Sequence, residues 1–538
     1  MRTKCLLLIF LMVSGAAWPQ VSSQRLVNAA GEPGQWLTYS GSYNGQRYSP
    51  LDQINRSNVS RLALQWVFQT HVQGDHETTP LVVDGVMYTI QSPNDVVALD
   101  ASSGAILWTY AHKPLEGTRN PCCGNLTRGV AILNDKLYLG SLDGFLISIN
   151  ARTGKEVWRT QVGDYKKFYS ITHAPLAVKD KIIVGVAGGE LGVRGYIKAY
   201  DAETGKEIWN FNTVPGPGEP GFETWKTPDS YLHGGAPIWV TGSYDPDTNL
   251  TFWGTGNPGP DWNGKARLGD NLYSCSVIAL NLDTGKLAWH YQFNPHNEFD
   301  WDATQVPVLA DVNYQGRTVK GMLWANRNGV AYLLDRTNGK FLRGTSFVKT
   351  NWYTGFDELG RPIVPTEKLS SKEGTLIMPG NQGGTNWYNP SFSPATGLQY
   401  IPAWENSATK YFNGEEPPEF HEGQGFTGDR PQNVQNPDLF GSVVALDPAT
   451  GERKWTYKLS APNPEGGVLT TSGNMLFMGG RDGQFVGLDA RDGKEVFSTR
   501  LGASVSAGPM TYAINGQQYV AIQAGHTLFV FALRKPAQ

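Results

Sequence analysis

Cysteine is scarce in this chain, with four residues in 538. None falls in a Cys-x-x-Cys-His run, which excludes covalently attached haem, and no Cys/His spacing suggests zinc. There is also no surplus of charge of either sign. Lys and Arg number 45 against 48 Asp and Glu, a net charge of −3, so nucleic acid and anionic membrane are not expected partners. No apolar run, the N-terminal one included, is long enough to span a bilayer, helical stretches are missing, and no nucleotide-binding fold is visible. What is plentiful is Gly (63), Pro (33), Trp (17) and Tyr (23), the composition of a turn-rich, aromatic, β-type chain.

The N-terminus reads as an export signal. Met1-Arg2-Thr3-Lys4 is basic, Cys5 to Val13 is apolar, and Ser14-Gly15-Ala16-Ala17 is small. Residues 1–22 are therefore expected to be a signal peptide, and 23–538 a soluble, periplasmic domain in a compartment where disulfides persist. Cys5 precedes the apolar core, which argues against a lipoprotein anchor.

Without Cys5, three cysteines remain: Cys275 and the pair in Asn120-Pro121-Cys122-Cys123-Gly124. Adjacent Cα atoms lie about 3.8 Å apart across a trans peptide, whereas disulfides want about 4.4–6.8 Å. A bond here would be strained and would close no useful loop. The residues alone leave open two reduced thiols in a turn, a bonded pair with Cys275 free, or an intermolecular link.

One phrase recurs along the chain: apolar-Ala-apolar-Asp, three variable positions, Gly-Lys, then Trp. It occurs at Ala98-Leu99-Asp100 with Gly104 and Trp108, at Ser148-Ile149-Asn150 with Gly154 and Trp158, and at Ala199-Tyr200-Asp201 with Gly205 and Trp209. Further copies run Ala279-Leu280-Asn281 with Gly285 and Trp289, Ala445-Leu446-Asp447 with Gly451 and Trp455, and Gly487-Leu488-Asp489 with Gly493 and Phe497. Degenerate copies surround Gly339 and Gly397, making eight. Each reads as strand, tight turn and strand, with Asp capping the turn and Gly at positive φ. The glycines are mostly 50–58 residues apart, with 80 between Gly205 and Gly285, where an insertion is expected. A period near 50 built only of strands predicts an all-β chain, an eight-bladed β-propeller whose repeated tryptophans pack between neighbouring blades.

Propellers bind ligands at the mouth of their channel, so the segments that interrupt the repeat are where chemistry is sought. They are Asp75 to Pro80, Cys122-Cys123 with Arg128, Ala187-Gly188-Gly189-Glu190, Trp239, Gly256-Asn257-Pro258, Asn294 to Asp302, Asn326 to Gly329, and Gly383 to Trp387.

With these segments in order, the chain from Gly34-Gln35-Trp36 through the last repeat resembles the quinoprotein alcohol and methanol dehydrogenases, propellers that hold pyrroloquinoline quinone (PQQ) and a metal ion. Arg128 falls five residues after Cys123, as that family requires. The resemblance implies that Cys122 and Cys123 form a disulfide ring serving as one wall of the PQQ slot, with Trp239 as the other. It makes Glu77, Arg128 and Thr172 the contacts to the cofactor's polar rim. Gly188, Gly189, Asn386 and Trp387 become further cofactor contacts, and Arg327 the cation beside the quinone oxygens. Glu190, Asn257 and Asp300 match the metal ligands, all oxygen donors suited to a hard cation.

The same resemblance implies the reaction. Asp300 takes the proton of a primary alcohol's hydroxyl while hydride moves to C5 of PQQ, the metal acting as Lewis acid. Asp302 adds a third carboxylate where calcium-type relatives carry a small residue and lanthanide-using members carry Asp. A lanthanide is thus expected, with calcium as runner-up. Electrons would leave to a separate soluble cytochrome c; a homodimer is compatible with the sequence. Ala187, Asn297, Phe299 and the segment Pro464-Glu465-Gly466-Gly467 depart from the usual methanol-dehydrogenase pattern, so a small or medium primary alcohol is the expected substrate. Two rivals stand beside this reading: a quinoprotein sugar or polyol dehydrogenase, and a non-enzymatic propeller scaffold such as an outer-membrane assembly factor.

Overall fold

Short strands with buried apolar centres dominate the chain, and the computed structural model, which describes residues 20–74, 76–119, 124–414, 416–429 and 431–534, pairs them into nine sheets. Seven have four antiparallel strands, an eighth adds the short parallel strand Tyr48–Ser49 to four others, and the ninth has three. Within a four-stranded sheet the burial pattern is graded. Val86–Gln91 is buried at every position and Asp95–Asp100 at all but its ends, whereas Ile106–Tyr110 is largely exposed. A strand buried on both faces needs a sheet packed on each side, as in the radial stacking of a β-propeller.

The repeated phrase supplies the joints. Asp100 Oδ1 accepts from the backbone N–H of Ser102 (2.9 Å) and Ser103 (3.0 Å), closing the turn that places Gly104 at φ +76°. A Cβ on Gly154 would stand 2.6 Å from the Trp108 ring, so glycine is required there by close approach as well as by its positive φ. Trp158 covers Gly205, Trp209 covers Gly285, Trp289 covers Gly339 and Trp455 covers Gly493 in the same way. Trp108 Nε1 also donates to Ala151 O at 3.1 Å, and Trp209 Nε1 to Leu282 O at 2.8 Å. Where the repeat degenerates the joint changes chemistry: Gly451 faces Arg343, which donates to Pro448 O at 2.9 Å.

The ends of the ring meet through Leu62–Gln69, which pairs antiparallel with Thr527–Leu533 and completes the sheet formed by the C-terminal strands. Val21 is fully buried and bridges Asn134, and Ser22 caps the short helix Ser23–Val27. These residues are thus part of the folded body. The long gap after Gly205 contains the 3-10 turns Phe222–Thr224 and Ser230–His233. The three-stranded sheet of Thr375–Ile377, Thr409–Tyr411 and Gln432–Asn433 has no counterpart in the repeat. Among the described residues no helix is long and apolar enough to cross a membrane.

Candidate cofactor and metal site

Arg128 lies where two loops are tied together. Its N–H donates to Thr172 O (3.0 Å) and its carbonyl accepts from Thr79 N (3.0 Å). The side chain, 4 % exposed, pairs with Glu77 at 2.6 Å and donates to Trp239 O at 3.2 Å. Its guanidinium carbon lies 4.9 Å from the ring centroids of both Trp239 and Trp387, a cation between two indoles. The two indoles pack in one apolar group with Tyr39, Val240 and Tyr388. Arg128 Nε is buried with no hydrogen-bond partner. Asn386 braces the adjoining turn, accepting from Trp387 N (2.9 Å) and donating to Gln382 O (3.2 Å).

The acidic half adjoins this slot. Glu190 sits in the 3-10 turn Gly189–Leu191, flanked by Gly188 at φ +115° and Gly192 at φ +71°. A Cβ on Gly188 would meet Phe168 O at 2.5 Å. Asn257 is buried and donates its N–H to Asp302 Oδ1 at 2.7 Å. Asp300 occupies the left-handed region at φ +57°. Asn297 holds that turn, its Oδ1 accepting from the N–H groups of Phe299 (3.0 Å) and Trp301 (3.1 Å). Arg327 then joins the carboxylates, donating from Nη1 to Asp302 Oδ2 at 2.8 Å and from Nη2 to Asp300 Oδ2 at 3.2 Å, while Nε donates to Asn381 O at 2.9 Å.

Electrostatics make the cluster unusual. Burial lifts the Asp300 carboxyl to about 8, with Arg327 opposing and Asp302 and Glu190 reinforcing the rise. Burial likewise raises Glu190 and Asp302; in Asp302 it is countered by Arg327, the Asn257 N–H and the Trp239 indole. The Trp239 wall and the carboxylates are therefore in electrostatic contact. Burial also opposes the charge on Arg327, but Asp300 and Asp302 outweigh it and keep the guanidinium protonated.

The structure thus brings Glu77, Arg128, Thr172, Trp239 and Trp387 together on one side and Glu190, Asn257, Asp300, Asp302 and Arg327 on the other. Cys122 and Cys123 lie outside the described residues. Among the described residues, no three His, Cys, Asp or Glu side chains stand in a ligating arrangement. Arg327 bridges two of the acids instead. The donor chemistry nevertheless fits: all-oxygen side chains suit a hard cation, and a buried Arg with an unused N–H between two indoles suits a flat polyanion.

Sequence reasoning missed Asp261, Arg267 and Phe426. Asp261 is 2 % exposed, and its carboxyl is pushed well above the usual carboxylate range by burial, then by Asp300 and Glu190. A carboxylate inside the otherwise uncharged Gly256–Pro260 neighbourhood was the available signal. Arg267 ties that loop to the Asp300 loop, donating to Pro260 O (3.0 Å), Asp261 O (3.2 Å) and Asn297 O (2.5 Å). Phe426, itself buried, donates its N–H to Glu190 O at 2.7 Å.

Residues 36–349 match the family described as glucose/ethanol/alcohol dehydrogenase, β-propeller domain, whose members are named for PQQ. The quinohemoprotein alcohol dehydrogenase ADH IIB of Pseudomonas putida is 40% identical over 98% of this chain and 78% of its own length. The chain belongs to the PQQ-dependent quinoprotein alcohol dehydrogenases. The quinoprotein alcohol dehydrogenase PedH, also of Pseudomonas putida, is 40% identical over 97% of this chain and 91% of its own. In structure, this quinoprotein superposes on a europium-containing methanol dehydrogenase with a TM-score of 0.89 and 33% identity, covering 95% of this chain and 100% of the other. Residues 439–531 also match the family of the outer membrane protein assembly factor BamB. That match covers only the last repeats, which hold none of the acids above. The chain is thus an alcohol-oxidising quinoprotein of β-propeller fold.

Proposed function

We propose that this quinoprotein oxidises a small or medium primary alcohol to the aldehyde beside Asp300 and Trp239, in the periplasm, and delivers the electrons to a separate cytochrome c. The observation that carries the reading is Arg327 spanning Asp300 (3.2 Å) and Asp302 (2.8 Å) beside the Arg128–Trp239 slot. When bound, PQQ supplies the two-electron acceptor and an oxygen-ligated metal ion the Lewis acid.

This chain's own residues do the rest. Asp300 is the base: held by Arg327 at 3.2 Å, it accepts the hydroxyl proton of the alcohol, and beside a bound cation its placement counts for more than its intrinsic basicity. Arg327 supplies positive charge where negative charge develops in a dry site. Trp239 is one flat wall, and Cys122 and Cys123, as a bonded ring, are the other. Glu77, Arg128, Thr172, Gly188, Gly189, Asn386 and Trp387 frame the cofactor's edges. Glu190, Asn257, Asp300 and Asp302 would hold the ion, a lanthanide ahead of calcium because three of the four are carboxylates. A relative named 1-butanol dehydrogenase (cytochrome c) from Thauera butanivorans, 38% identical over 91% of this chain, supports the acceptor. The eight sheets with at least four strands are read as eight blades.

Turnover of a panel of primary alcohols, polyols and sugars with an artificial dye acceptor and PQQ tests this. Aldehyde formation from primary alcohols is expected. Preference for polyols or sugars would transfer the site to the other branch of quinoprotein chemistry, and absence of PQQ binding would remove the enzymatic reading.

A further inference from the structure

Residues 34–49, which precede the repeats, lie across the middle of the ring. Trp36 bridges Val82, the Tyr43 hydroxyl donates to Ala177 O (2.6 Å), Gln46 Nε2 donates to Leu309 O (2.7 Å), and Tyr48 pairs with Thr470. Val82, Ala177, Leu309 and Thr470 belong to different sheets. A stretch this short reaches sheets round the whole ring only by crossing its centre. The same stretch carries Tyr39 into the apolar group of Trp239 and Trp387 and, farther on, holds Arg47.

Arg47 is fully buried, and its bonds all go to neutral oxygens. Nε donates to Pro509 O (3.2 Å), Nη1 to Tyr39 O (3.2 Å), and Nη2 to Gly508 O (2.6 Å) and Thr79 Oγ1 (3.2 Å). A Cβ on Gly508 would stand 2.9 Å from Arg47 Nε, so glycine there leaves the guanidinium its room. Two of these contacts lead to the cofactor slot. Thr79 N donates to Arg128 O (3.0 Å), and Tyr39 packs with the two indoles. Burial pulls the Arg47 pKa down to about 10, which leaves it charged near neutral pH.

The other buried arginines are placed differently. Arg128 is paired with Glu77, Arg327 with Asp300 and Asp302, and Arg336 with Asp245. Arg267 also has no carboxylate among its acceptors, but it braces the loops of Asp261 and Asn297 on the acidic side. The slot between the indoles therefore has a direct cation, Arg128, whose charge Glu77 already offsets. A buried charge without a counter-charge is costly, and a polyanion in the adjoining slot would supply one to Arg47.

We propose that Arg47 is a counter-charge for the cofactor, acting through Thr79 and Tyr39 rather than by contact, and that it raises the slot's affinity for the polycarboxylate PQQ. This rests on the reading of Arg128, Trp239 and Trp387 as the PQQ slot. In this division the Arg128–Glu77 pair gives direction, and Arg47 gives net positive charge.

The test is titration of cofactor-free full-length protein with PQQ, read by quenching of tryptophan fluorescence, with circular dichroism as the check on folding. Three variants separate charge from bracing. Arg47→Met removes charge and donors, Arg47→Gln keeps a donor for the carbonyls without the charge, and Arg47→Lys keeps the charge without the fork. Both neutral variants should bind PQQ about tenfold or more weakly than the natural chain, and the Lys variant should recover most of the loss. Natural affinity in the Met and Gln variants overturns the proposal. So does a Lys variant as weak as Met, which would make the hydrogen bonds rather than the charge decisive. Failure of both neutral variants to fold would make Arg47 a brace of the ring and likewise overturn it. If the natural chain does not bind PQQ, the slot reading itself fails and the proposal falls with it.

Discussion

Arg327 reaches Asp302 at 2.8 Å with one nitrogen and Asp300 at 3.2 Å with the other, so a single guanidinium organises both acids of the Asn297–Asp302 turn. The proposed base is thereby held by the same guanidinium that is proposed to stabilise the charge developing in the reaction. Replacing Asp300 with Asn should keep the propeller folded and lower kcat by about 10²–10⁴-fold, the usual contribution of a positioned base. Steady-state kinetics with a dye acceptor, alongside circular dichroism, measures both. A variant retaining more than a tenth of the natural kcat would show that the base lies elsewhere.

The joints between sheets make a separate prediction about stability. Gly154 and Gly516 both have positive φ, +67° and +76°, but a Cβ at Gly154 would meet Trp108 at 2.6 Å whereas Gly516 has open space. Gly516→Ala should cost only the left-handed backbone penalty, about 1–2 kcal/mol. Gly154→Ala adds the collision with the indole and should cost clearly more. Urea denaturation of the two variants, compared with the natural chain, gives the difference; equal losses would mean that the tryptophan joint yields easily.

How much of this was readable beforehand depends on whether the information is local. The Asp-to-Gly turn and its tryptophan are encoded within about a dozen residues and written repeatedly, so the repeat could be read without knowing what packs on what. Arg327, Asp300 and Asp302 sit in runs that interrupt the repeat, and it was the family resemblance that singled them out within those runs. Asp261 was not, because its importance lies in facing Asp300 and Glu190 across separate loops, a relation with no period in the sequence. The strands Thr375–Ile377 and Gln432–Asn433 are too short to show alternation, and Leu62–Gln69 closes the ring from the far end of the chain. The Arg343 joint was hidden for a similar reason, since arginine does the work of an indole there.

His173 provides a pH signature. It is fully buried, its Nε2 accepts from Gly185 N at 2.9 Å, and Nδ1 faces Ala174 O at 2.8 Å. This arrangement uses the neutral ring, and burial pulls its pKa down from 6.5 to about 4. The folded pKa lies below the unfolded one, so acid favours the unfolded chain. The contribution is intact above pH 6.5 and falls progressively from there to pH 4, by roughly 3 kcal/mol in all. Thermal unfolding between pH 7 and pH 4 should show this loss, and His173→Gln should flatten it; an identical slope in the variant would assign the acid sensitivity to other groups.

The adjacent cysteines define a further test. If Cys122 and Cys123 form a wall of the cofactor slot, replacing both with Ala should leave the unfolding temperature within a few degrees of the natural value and weaken PQQ binding. Quenching of tryptophan fluorescence by added PQQ reads the affinity. Loss of folding in the double variant would instead make the pair structural.

The central claim is that Glu190, Asn257, Asp300 and Asp302 form a metal site serving PQQ-dependent alcohol oxidation. It is tested most directly by reconstituting metal-free protein with PQQ plus La3+ or PQQ plus Ca2+ and measuring dye-linked turnover of a primary alcohol. The account predicts turnover that requires both PQQ and metal and is higher with La3+ than with Ca2+. Full activity with Ca2+ alone would contradict the trivalent assignment, and turnover independent of any metal would contradict the site itself.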